Sequence, residues 1–209
     1  MTPRSRSLTA VTLAALLALG ACSLSAPPPI RLHTLMPAEP TPREPAVAGR
    51  VPLYVSLEPI RLPAQVDQPQ WLVRLPDESL ASLEQERWAS PLGDELRQAL
   101  LEQLAARFGV VEGRRSAPGA VAPLRVALEL RRFDSIPGRE ARIESTWTVA
   151  GPAAALRCTL LVREAAPGGT TELAAAHRRA VARLAGAIGA SLVAVPPAAA
   201  PACPAGELP

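Results

Sequence analysis

Three consecutive runs in the second half of the chain constrain the fold more than anything else in it. Leu124, Val126, Leu128 and Leu130 alternate with Arg125, Glu129 and Arg131. Ala141, Ile143, Ser145, Trp147 and Val149 then alternate with Arg142, Glu144, Thr146 and Thr148, and a third run extends from Leu156 to Arg163. A period of two sends alternate side chains to opposite faces of a strand, so each run has one face to bury and one for solvent. Ser135 to Gly138 is turn material between the first two runs, and Pro167-Gly168-Gly169 closes the third. Short turns join antiparallel neighbours, so residues 124–163 are predicted to form a three-stranded meander. Phe133 falls out of step with the leucines before it, which places a β-bulge near Arg131 and Arg132.

A sheet with one apolar face needs a cover, and two amphipathic segments supply it. Leu92, Leu96, Leu100, Leu104 and Phe108 recur every four residues, widened by Leu101, behind Ser90 as N-cap and Pro91 as first helical residue, with Gly109 as the stop. This stripe is expected to pack on a sheet. Val181, Leu184, Ile188 and Leu192 mark a second helix, while residues 171–178 fit either a strand or its first turns. Earlier in the chain, Leu53, Val55 and Leu57 alternate with Tyr54 and Ser56. Trp71, Val73 and Leu75 form a second short strand between Pro69 and Pro76. Glu84 and Glu86 around Arg87 read as a solvated segment. The order strands, helix, strands, helix describes one α/β or α+β domain over residues 51–195, with helices on a mixed sheet.

Outside that domain the composition changes. Prolines at 27, 28, 29, 37, 40, 42 and 45, with Pro52 just beyond, make residues 22–50 an extended tether, in which Ile30, Leu32 and Leu35 fit a short first strand at 30–35. Residues 196–209 are a Pro/Ala tail without periodicity, read as disordered. At the N-terminus, Arg4 and Arg6 precede an apolar run from Leu8 to Leu19, too short to cross a bilayer, and residues 1–21 read as a secretory signal. Leu19-Gly20-Ala21-Cys22 resembles the lipobox of bacterial lipoproteins, in which the cysteine is acylated and becomes the new N-terminus. Cys22 is then a lipid attachment point, and Ser23 after it favours export to the outer membrane.

The remaining chemistry is mostly exclusion. All 22 basic residues are arginine, so P-loop, Schiff-base and Ser-x-x-Lys chemistry are ruled out. Without residues 1–21 there are 20 arginines against 19 acids, and a nucleic-acid binder is not expected. His33 and His177 are the only histidines, no zinc-ligand spacing occurs, and no cofactor is expected. A Cys158/His177 nucleophile pair is disfavoured because Cys158 fits the inward face of a strand and His177 lies in an Ala/Arg-rich stretch read as exposed. Cys158 and Cys203 can pair in an exported chain; two separate thiols is the reading favoured, with the pairing left open. No residue combination points to catalysis.

Several segments together carry a family resemblance. IRLHTL from Ile30, the Pro63, Asp67, Pro69 and Gln70 element leading to Trp71, the Arg87-Trp88-x-x-Pro91-Leu92 element and the Phe133 to Trp147 hairpin occur in the order seen in the PqiC family of ABC-transport auxiliary lipoproteins. The chain is similar to that family from Cys22 to about Val195. The resemblance implies a three-layer α/β fold like an anticodon-binding domain, and a non-enzymatic outer-membrane lipoprotein on the periplasmic face. It implies that the protein accompanies an MCE-domain protein of an ABC lipid transporter, with homo-oligomers among such proteins. Partner contact is expected at Pro63, Asp67, Pro69, Gln70, Trp71, Arg87 and Trp88. The competing reading is a stand-alone periplasmic carrier of lipid or a small molecule.

Overall fold

The structure is a computed structural model describing residues 28–42, 52–113, 122–195 and 203. The residues read as a signal peptide, Cys22, much of the segment read as a tether and all of the segment read as a tail except Cys203 lie outside the described residues. The chain runs β1 (Arg31–His33), β2 (Leu53–Leu57), a 3-10 turn (Ala64–Val66), β3 (Gln70–Arg74), β4 (Leu80–Trp88), α1 (Leu92–Phe108), β5 (Val110–Glu112), β6 (Leu124–Ile136), β7 (Glu140–Ala150), β8 (Ala155–Ala165) and α2 (Thr170–Ala194).

The meander forms as its alternation requires. β6, β7 and β8 pair antiparallel, and β2 and β5 add to the β6 side in parallel, giving a five-stranded mixed sheet in the order β5-β2-β6-β7-β8. The register of β6 on β7 shifts between Leu130 and Arg132, which is the expected bulge. Past it, Phe133 pairs with Ile143 and turns inward again. Gly138 in the following turn takes φ 71°, a left-handed conformation that costs glycine little.

Helix α2 covers the inward face of β7 and β8. Leu173, Val181, Leu184, Ile188 and Leu192 are buried there, and residues 171–178, ambiguous in sequence, are its first turns. The stripe of α1 packs mainly against α2 and β5. The two helices approach closely because Gly189 has no side chain: a Cβ there would stand 2.2 Å from Phe108 Cε2. The start of α1 differs from expectation. Pro91 is the N-cap, and its carbonyl accepts from the amides of Asp94 and Glu95. The Ser90 hydroxyl donates instead to Glu95 at 2.9 Å, because the buried Glu95 carboxylate needs donors.

A second sheet, with order β1-β4-β3, stands beside the C-terminal half of β6. Its central strand corrects the reading of Glu84, Glu86 and Arg87 as a solvated segment: Glu84 is exposed, but Glu86 is 4% exposed within β4 and Arg87 half-buried. The register of β3 on β4 slips between Gln70 and Trp71, so Trp71 faces Leu83 while Gln70 faces Arg87.

The cysteines also correct the favoured reading. Cys158 is buried on β8 as alternation requires, and it is bonded to Cys203, with Cα atoms 5.6 Å apart. Because β8 is the edge strand, a side chain can face the core and still reach chain lying beyond the rim of the sheet.

Candidate functional site

The loop from Pro63 to Gln70 is held at both ends by packing. Val66 in its 3-10 turn is buried, while Asp67 and Pro69 are exposed and Pro63 and Gln70 half-buried. The loop therefore presents a polar tip from a fixed root, the usual condition for a binding loop.

Behind it, Trp71 is 1% exposed and ties the small sheet to the rest of the molecule. Its indole N–H donates to Ser135 Oγ of β6 at 2.7 Å, and that oxygen lies 2.8 Å from Nε2 of His177 on α2. Trp88 stands edge-on to His177, the Phe133 ring stacks on His177 at 4.1 Å, and His33 meets Trp71 edge-on at 4.8 Å. One aromatic cluster thus joins elements from both sheets and a helix. The sequence-predicted contact residues Trp71 and Trp88 lie inside this cluster, and Trp147 is core beneath α2.

Ser135 and His177 have the spacing of a nucleophile and its base. Their surroundings do not suit that role. Ser135 is 1% exposed and His177 fully buried, contrary to the exposure expected from sequence. His177 Nδ1 has no hydrogen-bond partner among the described residues, so no carboxylate orients the ring. Burial pushes the imidazole down to a pKa of about 3, so it is neutral at physiological pH. The chain Trp71, Ser135, His177 therefore acts as a polar fastener within the core.

A second polar fastening holds β1. Glu86 binds Arg31 and His33, and Thr170 Oγ1 donates to it at 3.3 Å. Burial raises the Glu86 carboxyl, but the hydrogen bonds from His33 and Arg31 outweigh it and hold the pKa below the ordinary value. Glu95 accepts from Thr34 Oγ1 at 2.7 Å and from the Leu35 amide at 2.8 Å. Arg87, beside Glu86, is half-buried; its Nε is shielded and finds no hydrogen-bond partner among the described residues.

Between β3 and β6 lies a small recess, open to solvent and lined by Val66, Leu72, Arg74, Phe133 and Asp134. Arg74 reaches Asp134 there at 3.1 Å. No group of three metal-ligating side chains occurs among the described residues. No helix among them is long and apolar enough to cross a membrane.

This architecture is shared with solved structures. A crystal structure described only as an uncharacterized protein superposes with a TM-score of 0.58 at 14% identity, covering 66% of this chain and 90% of that one. Protein XCC0632 from Xanthomonas campestris superposes with a TM-score of 0.55 at 19% identity, covering 76% of this chain and 92% of that one. These likenesses define the class as an α/β domain of two sheets and two helices. No curated protein matches the sequence. The profile of the family described as the ABC-type transport auxiliary lipoprotein component matches residues 33–189, and the chain belongs to that family.

Proposed function

We propose that the protein is a non-catalytic, outer-membrane lipoprotein of an MCE/ABC-type intermembrane lipid transport system. In this reading it is anchored through acylated Cys22 and tethers or seals the periplasmic part of the complex. The observation that carries the reading is the family match over residues 33–189, which contains the whole loop and its aromatic support. The partner is an MCE-domain protein, contacted by Asp67, Pro69 and Gln70 at the loop tip with Pro63 and Arg87 beside them. Trp71 and Trp88 support that surface from behind.

Asp67→Ala with Gln70→Ala is expected to weaken co-purification with the MCE protein while thermal unfolding is unchanged; full retention of the partner rejects the loop. Cys22→Ala is expected to release the protein from membranes on carbonate washing, and a variant that stays bound rejects the anchor. Native mass spectrometry separates this role from the stand-alone carrier, which would retain lipid as a monomer.

A further inference from the structure

The five-stranded sheet is covered on one side only. Its other face carries Tyr54, Arg125, Thr146, Thr148, Arg157 and Arg163; among the elements the described residues form, β3 meets it at the Asp134 end, where Arg74 reaches across, and the rest of the face is left open. This face carries a net positive charge. By strand parity and ion-pair geometry it holds seven arginines, at 61, 125, 131, 132, 142, 157 and 163, against five carboxylates, at Glu58, Glu129, Asp134, Glu140 and Glu144. Elsewhere the described residues hold nine arginines against twelve carboxylates, so the body is polarised although its total charge is near zero.

The glutamates on the open face are largely engaged. Glu129 binds Arg61 at 3.2 Å, Glu144 binds Arg132 at 3.2 Å, and Glu140 binds Arg142. Arg125, Arg157 and Arg163 are exposed with no carboxylate within bonding distance among the described residues. Arg157 stands directly across from Thr148, itself beside Ala127 and one strand from Arg125, so two guanidinium groups flank a row of threonine hydroxyls. At the β5 side of the sheet, Tyr54 and Val111 pair across strands and are 43% and 44% exposed. An aromatic and an aliphatic side chain at the margin of a basic, hydroxyl-rich surface is the composition that suits a lipid headgroup layer.

We propose that this open face is a docking surface for an anionic phospholipid leaflet, with Arg125, Arg157 and Arg163 receiving headgroup phosphates and the Tyr54–Val111 margin entering the interface. The proposal rests on the lipoprotein reading. From Cys22 to Arg31 the chain spans at most about 30 Å, so an acylated Cys22 keeps the domain within about one diameter of the bilayer. At that distance a net positive charge on one face orients the body.

The test uses the mature chain with Cys22→Ser, so that acyl insertion does not decide the result. Its sedimentation is measured with phosphatidylcholine vesicles and with vesicles containing phosphatidylglycerol. Binding is expected only with the anionic lipid and is expected to fall as salt is raised. Arg125→Gln, Arg157→Gln and Arg163→Gln together are expected to lower partitioning by about a hundredfold, on the order of fivefold per arginine, with unfolding unchanged. Equal binding to both vesicle types, or full binding by the triple variant, overturns the proposal. It is also overturned if the wild-type chain ignores vesicles while the triple variant loses the transporter protein on co-purification, because the face is then a protein interface. None of these failures touches the anchor, which is read separately from acylation of Cys22.

Discussion

The two sheets are stabilised by different means. In the large sheet, strand alternation buries a mostly apolar face beneath α2; of the polar exceptions there, Ser145 and Ser191 make local hydrogen bonds and Glu164, at the end of β8, binds Arg179 and Arg183 of α2. In the small sheet the inward side chains include Glu86, and polar links to the rest of the molecule are the Trp71–Ser135–His177 chain, the Arg74–Asp134 pair, the bond from Thr170 to Glu86, and the Glu95 carboxylate of α1, which holds the chain after β1. Apolar burial is non-directional and tolerates small adjustments, whereas a buried polar link is worth little net when made and costs fully when broken. The small sheet is accordingly the part whose attachment depends on a few specific atoms.

The most direct way to break this contrast is to remove the same side chain from each sheet. Trp71 and Trp147 are both 1% exposed and both donate to a serine hydroxyl, Ser135 and Ser191 respectively. Each change to Ala is expected to cost about 3–5 kcal/mol. Trp71→Ala is expected to expose β1, β3 and β4 to proteolysis while β6 to β8 stay protected in hydrogen exchange; Trp147→Ala is expected to lower protection throughout. Equal loss everywhere in both variants would show that the sheets do not differ in this way.

Glu95→Ala leaves Leu35 N–H, Thr34 and Ser90 without their acceptor and is expected to cost about 2 kcal/mol in urea unfolding. Acid sharpens the comparison further. His177 is held at about 3 in the folded protein and lies near 6.5 when unfolded, so the unfolded chain binds the extra proton. Stability is therefore full above about pH 6.5 and falls, on the order of 1 kcal/mol per pH unit, as pH drops toward the folded value. Glu86, held below its ordinary value, contributes stability above its unfolded pKa that is lost as acid titrates the folded group. His177→Gln is expected to flatten the slope between pH 6 and pH 4 in thermal melts, on the same linkage reasoning. The smallest effect belongs to the large sheet: Ile143→Val is expected to cost about 1 kcal/mol, independent of pH.

The same contrast decides what the sequence could reveal. β6 to β8 and α1 were legible because apolar residues repeat at the period of the element that buries them. β4 was not, because Glu84, Glu86 and Arg87 mimic a solvated run, and the burial of Glu86 depends on Arg31 and His33 more than fifty residues earlier. β5, at three residues, is too short for a period. His177 carried a usable signal: one turn back from Val181 the stripe of α2 lands on His177, and Leu173 follows another turn back. The Ala and Arg around it concealed that phase. The loop at Pro63 to Gln70 is marked by family likeness and by its polar, proline-bounded character, a composition it shares with many turns. The arginines at 125, 157 and 163 read individually as the outward half of strand alternation, and only the pairing of β6, β7 and β8 gathers them on one surface.

The bond between Cys158 and Cys203 closes a hoop of 45 residues that encloses all of α2. Tying such a length of chain restricts the unfolded protein by about 4 kcal/mol. The hoop also works as a mechanical bypass. A pull applied to the polypeptide beyond residue 203 arrives at the rim of the β8 strand and leaves the last helix slack, so traction on that end cannot unwind it.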